Sequence, residues 1–257
     1  MPRIFLPHIE PSHKVRISGD KARYLHTVLR CKPGDTLTLF NGKGSLYRAT
    51  LTSVTKNEVL AVTGELLSST TESSLEIVLI QGLLKGEKMD FVMQKTTELG
   101  VVEIIPVVTE RSQIRATGKI ARWRKIVEEA SRQSNRTRIP IIHDVISFNE
   151  TFSQDPKFNL ISRGDHIKGF LFWEHNGIMA KEAFNRMKGA LRITIAIGPE
   201  GGFSEHEVEI AKSGGLLVTS LGTRILRAET AAIAALAIIQ HILGDLGNDL
   251  SGTQDLL

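Results

Sequence analysis

The chain has a single cysteine among its 257 residues, and this scarcity excludes two kinds of stabilising site. Cys31 cannot form a disulfide within the chain, and one thiol cannot supply the paired cysteines of a usual zinc site. The eight histidines show no metal-ligand spacing with acidic or thiol partners. We therefore expect no metal site, and we interpret Cys31 as a small packed side chain.

Long apolar runs are also absent. The longest, residues 231–243, contains Gln240 and His241 and falls short of the roughly 20 residues that a membrane-spanning helix needs. Residues 1–5 lack the basic region, apolar run and small-residue cleavage site of a secretory signal. With 41% hydrophobic and 23% charged residues, the sequence predicts a soluble globular protein of the cytoplasm, with one large core or two smaller ones.

Basic residues are concentrated in two segments, although the net charge of the chain is only +4. Residues 1–70 hold ten Lys or Arg against five Asp or Glu, and residues 111–138 hold nine against two. Two basic segments favour a polyanionic partner such as nucleic acid. Charge alone leaves a second interpretation open, in which these side chains are ordinary solvated charge on a loop and a helix face.

The first 67 residues alternate short apolar runs with turn signals, which is typical of a small β-barrel or β-sandwich. The expected strands lie at residues 37–40, 46–54 and 59–62. Asn41-Gly42 is a strong hairpin signal, because both central residues of a type I′ turn need a positive φ. One helix is expected at about residues 21–29.

The polar segment at residues 68–74 lacks an apolar anchor and is predicted to be a linker. After it, short apolar strands alternate with longer helices, which predicts an α/β domain with a largely parallel sheet and helices on both faces. The strands are expected at residues 75–81, 102–108, 158–162, 169–173, 191–197 and 216–220. The helices are expected at residues 89–99, 119–133, 178–188, 204–213 and 229–243.

A glycine-rich loop follows the strand at residues 191–197, at a strand end where ligands bind in open α/β sheets. Its sequence, Gly-Pro-Glu-Gly-Gly at residues 198–202, matches neither the Walker A motif nor the dinucleotide-binding turn. Glu200 disfavours phosphate but is compatible with a cofactor whose sulfonium is positive. Ser204 and Glu207 predict a capping box for the next helix. Taken alone, the loop is equally well explained as a tight structural turn.

A second loop, residues 221–227, follows the strand at residues 216–220 and leads into an alanine-rich helix. The small side chains suit close approach of another backbone, either within the fold or across a dimer. Arg227 and Glu229 flank the start of the helix and are candidates for chemistry. The alternative is a structural ion pair or a contact with the helix dipole.

Several separated runs of the sequence match one known family in the same order. They are residues 26–30, 34–35, 88–90, 94–101, 106, 110–112, 122–123, 129–130, 133–134, 197–207 and 220–235. They resemble the RsmE family of 16S rRNA uracil-N3 methyltransferases, in the SPOUT superfamily. The resemblance implies a PUA-like β-barrel that helps to bind RNA, followed by an α/β SPOUT domain with a C-terminal trefoil knot. The implied boundaries are residues 1–67 for the barrel, 68–74 for the linker, 75–247 for the methyltransferase domain and 248–257 for a polar tail.

The resemblance also implies an activity and a set of site residues. The chain would methylate N3 of one uridine in 16S ribosomal RNA of the small ribosomal subunit, position 1498 in the usual numbering of that RNA, with S-adenosyl-L-methionine as methyl donor, and would work as a homodimer. The implied cofactor-binding residues are Phe172, Glu174, Ile197, Gly198, Gly202, Leu221, Gly222, Ile225 and Leu226. Arg227 is predicted to stabilise negative charge on the uracil, and Glu229, or a water that it orients, to accept the N3 proton.

Candidate RNA contacts follow from the basic segments. They are Arg3, Lys14, Arg16, Arg23, Arg30 and Lys32 in the barrel, and Arg111, Arg115, Arg132 and Arg136 in the second domain. Some of these are expected to be solvated only.

Two other functions are compatible with the residues alone. A non-catalytic RNA-binding protein would keep the barrel beside a degenerate enzyme domain, but the intact glycine loop with Arg227 and Glu229 argues against it. A SPOUT enzyme that acts on a transfer RNA base or on a ribose hydroxyl would use the same kind of site. Only the chain-wide resemblance favours uracil N3.

Overall fold

The chain divides into two compact units, which are described separately. The computed structural model describes residues 1–69, 71–153, 168–175 and 177–247. The first unit comprises Met1–Glu72 and Ser131–Ile139, and the second comprises Ser73–Ala130 and Pro140–Leu257. The expected strand at residues 158–162 and the polar tail at residues 248–257 lie outside the described residues.

The first unit is built on a five-stranded sheet. Its strands are β1 (Arg3–Phe5), β2 (Lys14–Ser18), β3 (Thr36–Phe40), β4 (Leu46–Val54) and β5 (Glu58–Leu67), in the order β1-β3-β4-β5-β2. β1 pairs with β3 in parallel, and the other pairs are antiparallel. Leu37, Leu39 and Leu51 are among the fully buried side chains of its core. The three strands expected from the sequence are confirmed, whereas the short strands β1 and β2 were not expected.

The hairpin between β3 and β4 is confirmed, but its turn is not the expected type I′. Asn41 is not among the residues with positive φ, and the loop is longer than two residues. Instead, the side-chain Oδ1 of Asn41 accepts hydrogen bonds from the backbone N–H groups of Lys43 (2.9 Å) and Ser45 (3.0 Å). The asparagine therefore shapes the turn through its side chain rather than through a left-handed backbone.

The helix expected at residues 21–29 forms in two parts. Helix α1 (Asp20–Arg23) continues directly as a π-helical turn over Tyr24–Val28. Ala22 and Leu25 are fully buried in the core of the first unit, so this short helix is held by packing.

The segment Ser131–Ile139 joins the first unit, although the linear pattern gave no reason to expect it. Glu72 holds it in place: its carboxylate accepts from the Arg136 guanidinium at 2.9 Å and from the backbone N–H of Thr137 at 2.7 Å. Arg3 donates to the Arg136 carbonyl at 2.7 Å. These contacts connect residues that are far apart in the sequence, so they could not be predicted from local periodicity.

The second unit contains an eight-stranded sheet. Its strands are β6 (Glu76–Gly82), β7 (Val101–Val108), β8 (Ile141–Ile142), β9 (Ile146–Ser147), β10 (Gly169–Phe172), β11 (Ile178–Met179), β12 (Arg192–Ile197) and β13 (Leu216–Ser220). The order is β11-β13-β10-β12-β6-β7-β8, with β9 also on β7, and every pairing among the described strands is parallel. β6, β10 and β12 are buried at almost every position, which requires cover on both faces. The predicted α/β fold is confirmed.

Five α-helices accompany this sheet in the part of the chain that the structure describes. They are α2 (Lys88–Glu98), α3 (Ile120–Gln133), α4 (Ala180–Asn185), α5 (Glu205–Ser213) and α6 (Ala228–Leu243). The predicted capping box of α5 is present, because Ser204 and Glu207 exchange side-chain and backbone hydrogen bonds. Helix α4 is shorter than expected, since Ile178–Met179 pairs with β13 as a strand. None of the helices in the described ranges is long and apolar enough to cross a membrane.

The strand order determines where a site can form. β13, β10 and β12 are direct neighbours, although β10 and β13 are separated in sequence by β11, α4, β12 and α5. Because they are parallel, their carboxyl ends meet at one edge of the sheet, and the loops that follow them lie together. The trefoil knot implied by the resemblance stays a prediction.

Candidate functional site

Two adjoining cavities open at the carboxyl ends of β10, β12 and β13. The larger has a volume of about 320 Å³ and the smaller about 70 Å³. Their shared wall consists of Phe172, Glu174, Ile225, Leu226 and Ala231. The site therefore combines the end of β10 with the loops that the sequence analysis singled out after β12 and β13.

All nine residues predicted to bind the cofactor line these cavities. Seven line the larger one: Phe172, Glu174, Ile197, Gly198, Gly202, Ile225 and Leu226. Leu221 and Gly222 line the smaller one. The structure brings together residues that lie on three separate loops, and their role in binding a cofactor stays a prediction.

The glycines of the loop after β12 are required by close contacts. Gly202 has φ +69°, and a Cβ added to it would lie 2.6 Å from Glu174 Oε1. Gly198 packs against the backbone of Gly202, where an added Cβ would lie 3.1 Å from the carbonyl carbon. A Cβ added to Gly82, at the end of β6, would lie 2.5 Å from the backbone nitrogen of Pro199. The loop is both a tight structural turn and a wall of the cavity that exposes backbone to a ligand.

The loop is anchored from the segment after β7. Glu207, the buried capping-box residue of α5, accepts from the backbone N–H of Glu110 at 2.9 Å and from that of Ser204 at 2.9 Å. Arg111 Nη1 lies 3.4 Å from the Gly201 carbonyl oxygen, which is a long hydrogen bond. One carboxylate thus ties two segments of the site to the start of α5.

An ion pair that the sequence analysis missed lies on the rim of the larger cavity. Lys88, the first residue of α2, donates from Nζ to Glu200 Oε1 at 2.9 Å, and the backbone N–H of Lys85 reaches the same oxygen at 3.2 Å. Burial by itself would raise the pKa of the Glu200 carboxyl, but these hydrogen bonds outweigh it and lower that pKa. The only sequence signal was that residues 88–90 are among the runs that resemble the family.

Arg227 and Glu229 lie at the start of α6 in different environments. Arg227 is the exposed N-cap residue and lines the larger cavity. Glu229 is partly buried in the first turn, and its Oε2 is enclosed without a hydrogen-bond partner in the described structure. This carboxylate oxygen is therefore not held by an ion pair with Arg227, which disfavours the ion-pair alternative. The contact with the helix dipole stays open, because Glu229 lies in the first turn of α6.

The predicted RNA contacts differ in how far their side chains are exposed. Exposed side chains belong to Lys14, Arg16, Arg23, Arg30, Lys32, Arg111 and Arg115. Arg136 is wrong as an RNA contact: it is 2% exposed and its guanidinium is occupied by Glu72. Arg3 is also a poor choice, because its guanidinium lies over the Phe40 ring and donates to the Arg136 carbonyl at 2.7 Å.

Arg132 differs from both the exposed and the buried residues of this set. Its guanidinium lies 5.4 Å from the centre of the Tyr24 ring, and the residue is partly buried. Both Arg132 and Arg136 belong to the first unit, not to the second domain as the sequence analysis assumed.

Two family models match most of the chain. Residues 71–240 match the model of an RNA methyltransferase domain, and residues 17–63 match that of an RNA methyltransferase PUA domain. The second match confirms the predicted PUA-like character of the first unit.

Individual relatives match along almost their whole length. Ribosomal RNA small subunit methyltransferase E of Bacillus subtilis (strain 168) is 31% identical over 91% of this chain and 92% of the relative. The protein of the same name from Rickettsia conorii is 33% identical over 93% of this chain and 94% of its own. A crystal structure of ribosomal RNA small subunit methyltransferase E from Neisseria gonorrhoeae bound to S-adenosyl methionine is 34% identical, with a TM-score of 0.85 over 95% of this chain and 99% of the other.

Proposed function

This chain belongs to the ribosomal RNA small subunit methyltransferase E family, and on that premise we propose that it transfers a methyl group from S-adenosyl-L-methionine to N3 of a specific uridine in 16S ribosomal RNA. The observation that carries the proposal is the pair of cavities lined by all nine predicted cofactor residues. A relative of the same fold is described as bound to S-adenosyl methionine.

The residues of the cavities fit the proposed cofactor. Phe172, Ile197 and Leu226 supply apolar walls that suit the adenine ring. Gly198 and Gly202 leave backbone groups accessible for hydrogen bonds, and the Glu174 carboxylate suits a positively charged ligand group. When bound, S-adenosyl-L-methionine supplies an electrophilic methyl group on sulfur.

The protein must make uracil N3 nucleophilic, because N3 carries a weakly acidic proton. Glu229 follows the cavity-lining residues Arg227 and Ala228, and it accepts this proton directly or through a water that it orients. Its enclosed Oε2 has no competing partner in the described structure, and such a water or a rotation of the side chain must connect it to the cavity. Arg227, on the cavity wall two residues earlier, stabilises the negative charge that develops on the ring. The remaining work of the site is to hold N3 in line with the sulfur–methyl bond.

RNA binding is proposed for the exposed cations and not for the buried ones. Lys14, Arg30 and Lys32 lie in the unit that matches an RNA methyltransferase PUA domain. Arg111 and Arg115 follow β7, and the contact of Arg111 with the glycine loop supports a role for both in holding RNA near the cavity.

A homodimer is part of the same proposal. Helices α2 and α6 pack together, and Phe91 and Ile242 on them are 46% and 44% exposed. Large apolar side chains exposed on neighbouring helices suit an interface with a second copy. Sedimentation equilibrium should show a dimer that Ile242→Lys weakens and that Leu66→Lys, at an exposed apolar residue on β5 of the first unit, leaves intact. A wild-type chain that is monomeric at all concentrations would contradict the dimer.

Nucleoside mass spectrometry tests the reaction. Small ribosomal subunits from cells that lack this protein are incubated with the purified chain and S-adenosyl-L-methionine, and their RNA is digested to nucleosides. We expect 3-methyluridine to appear in 16S ribosomal RNA only when protein and cofactor are both present. A 2′-O-methyl nucleoside, or methylation of transfer RNA alone, would favour the other SPOUT reactions. Cofactor binding without any methyl transfer would favour a non-catalytic protein.

A further inference from the structure

The larger cavity contains a second cation that the proposed reaction does not use. Lys88 and Arg227 both line this cavity, although they start different helices, α2 and α6. The Lys88 side chain is 38% exposed and uses one of its three donors, on Glu200. Donors therefore remain for a ligand in the cavity.

Lys88 is held in position before any substrate arrives. Glu200 accepts from Nζ at 2.9 Å and is itself fixed by the backbone N–H of Lys85. The hydrogen bond to Glu200 raises the pKa of the Lys88 ammonium, and Glu229 and Arg227 are close enough to act on it electrostatically with opposite signs. The four charged side chains thus form one group, and its second cation is oriented in advance.

The chemistry of uracil explains what a second cation can do. When N3 loses its proton, the negative charge is shared among N3 and the two carbonyl oxygens, O2 and O4, on either side of it. One cation can contact one of these oxygens. Two cations on different walls of the same cavity can contact both.

We propose that Lys88 is a catalytic residue that donates to one carbonyl oxygen of the target uracil while Arg227 donates to the other. This inference rests on the proposed function. The N3 proton passes to Glu229 or its water, the N3 lone pair forms the new bond to the methyl carbon, and the sulfur–methyl bond breaks with its electron pair left on sulfur. Lys88 and Arg227 keep their protons throughout and act by charge.

The test measures single-turnover formation of 3-methyluridine across pH on unmethylated small ribosomal subunits. For Lys88→Met we expect a rate about 10²–10³-fold lower, as for loss of one preorganised donor. The rise of the rate with pH should move to higher pH, because N3 must ionise with one cation fewer. Affinities for S-adenosyl-L-methionine and for the subunit should be unchanged, and Lys88→Arg should recover most of the rate.

A matched control lies on the same helix. Lys95 donates to Glu98 at 2.9 Å and is 35% exposed, but it does not line the cavity. Lys95→Met removes the same charge and a similar ion pair, so it should keep the wild-type rate and pH profile. Lys88 could act directly on the uracil or indirectly, by supporting the glycine loop through Glu200. Glu200→Gln separates these two roles, since it weakens the ion pair but leaves the ammonium in place. Its rate should fall less than that of Lys88→Met.

Three results would overturn the proposal. The first is a Lys88→Met enzyme as fast as wild type at every pH. The second is an equal loss in Lys88→Met and Glu200→Gln with weaker cofactor binding in both, which would make Lys88 a support for the glycine loop. The third is weaker subunit binding with an unchanged single-turnover rate, which would make Lys88 a phosphate contact. Failure of the proposed function is distinct, because the wild-type chain would then form no 3-methyluridine.

Discussion

At the residue scale, the loop after β12 has no room for a side chain at Gly202. Its φ of +69° disfavours any residue with a Cβ, and that Cβ would collide with Glu174 at 2.6 Å. Gly189 offers a comparison, since its φ is +80° but nothing lies within 4 Å of an added Cβ. The two glycines share the same backbone strain and differ in the contact with the cavity wall.

We expect Gly202→Ala to weaken binding of S-adenosyl-L-methionine by at least tenfold in calorimetry, because Glu174 and the loop must move apart. Gly189→Ala should lower the free energy of unfolding by on the order of 1 kcal/mol, because its positive φ disfavours a Cβ. It should leave the affinity for S-adenosyl-L-methionine unchanged. Equal affinities in both variants would show that Gly202 is needed for the turn and not for the ligand.

Arg227 and Glu229 are the second pair of residues whose roles can be tested one by one. Glu229→Gln keeps the shape of the side chain but cannot accept the proton, so the single-turnover rate should fall by about 10²–10⁴-fold. Arg227→Ala should lose about 10²–10³-fold. Thermal unfolding and cofactor affinity are measured beside the rate. Full activity in both variants would refute the assignment, and loss of folding in both would indicate a structural role.

At the element scale, a network of charged side chains joins the amino-terminal halves of β6, β7 and β12, at the other end of the strands from the site. Arg192 donates to Glu76 at 2.7 Å and to Glu103 at 2.8 Å, and His143 lies 3.1 Å from the second Glu103 oxygen. Burial tends to raise the pKa of Glu103, but the hydrogen bonds from His143 and Arg192 outweigh it and lower the pKa to about 2. The network therefore stabilises the sheet only while Glu103 is ionised.

This network predicts a specific loss of stability in acid. The pKa of Glu103 is lower in the folded chain than its ordinary value of 4.5, so the stabilisation is complete above pH 4.5 and is lost as the pH falls towards about 2. Chemical denaturation should show Glu103→Gln less stable than wild type by on the order of 2–3 kcal/mol at pH 7, with the difference vanishing near pH 2. Glu98→Gln, in an exposed pair on α2, should change stability by less than about 1 kcal/mol. A Glu103→Gln difference that does not depend on pH would contradict the role of its charge.

At the scale of the whole molecule, the distribution of exposed charge should govern RNA binding. Each lysine that neutralises a phosphate contributes about 0.7–0.9 to the slope of log affinity against log salt concentration. The double change Lys14→Gln with Lys32→Gln should weaken binding to the small subunit and flatten this slope. Lys56→Gln with Lys212→Gln lowers the net charge by the same amount at exposed sites outside the predicted set. Equal effects of the two pairs would mean that only net charge matters.

Features whose partners are close along the chain could be predicted without the fold. The capping box of α5 depends on Ser204 and Glu207, three residues apart, and the buried strands show as unbroken apolar runs. That the nine cofactor candidates line the same pair of cavities was also predictable from the family resemblance, while their role in binding stays a prediction. The hairpin at Asn41 was predicted in place but not in type, since its side chain competed with the backbone for the turn.

Which distant residues meet depends on the fold of the whole chain. Lys88 reaches Glu200 across 112 positions because β6 and β12 are neighbours in the sheet. In the sequence, Arg136 cannot be distinguished from the exposed arginines. In the fold it is buried and paired with Glu72, which lies 64 residues earlier in the chain. Local patterns record helix and strand because those depend on neighbouring residues. Strand order and ion pairing depend on how the whole chain minimises exposed apolar surface and unpaired charge, and for that reason the second cation of the site was visible only in the fold.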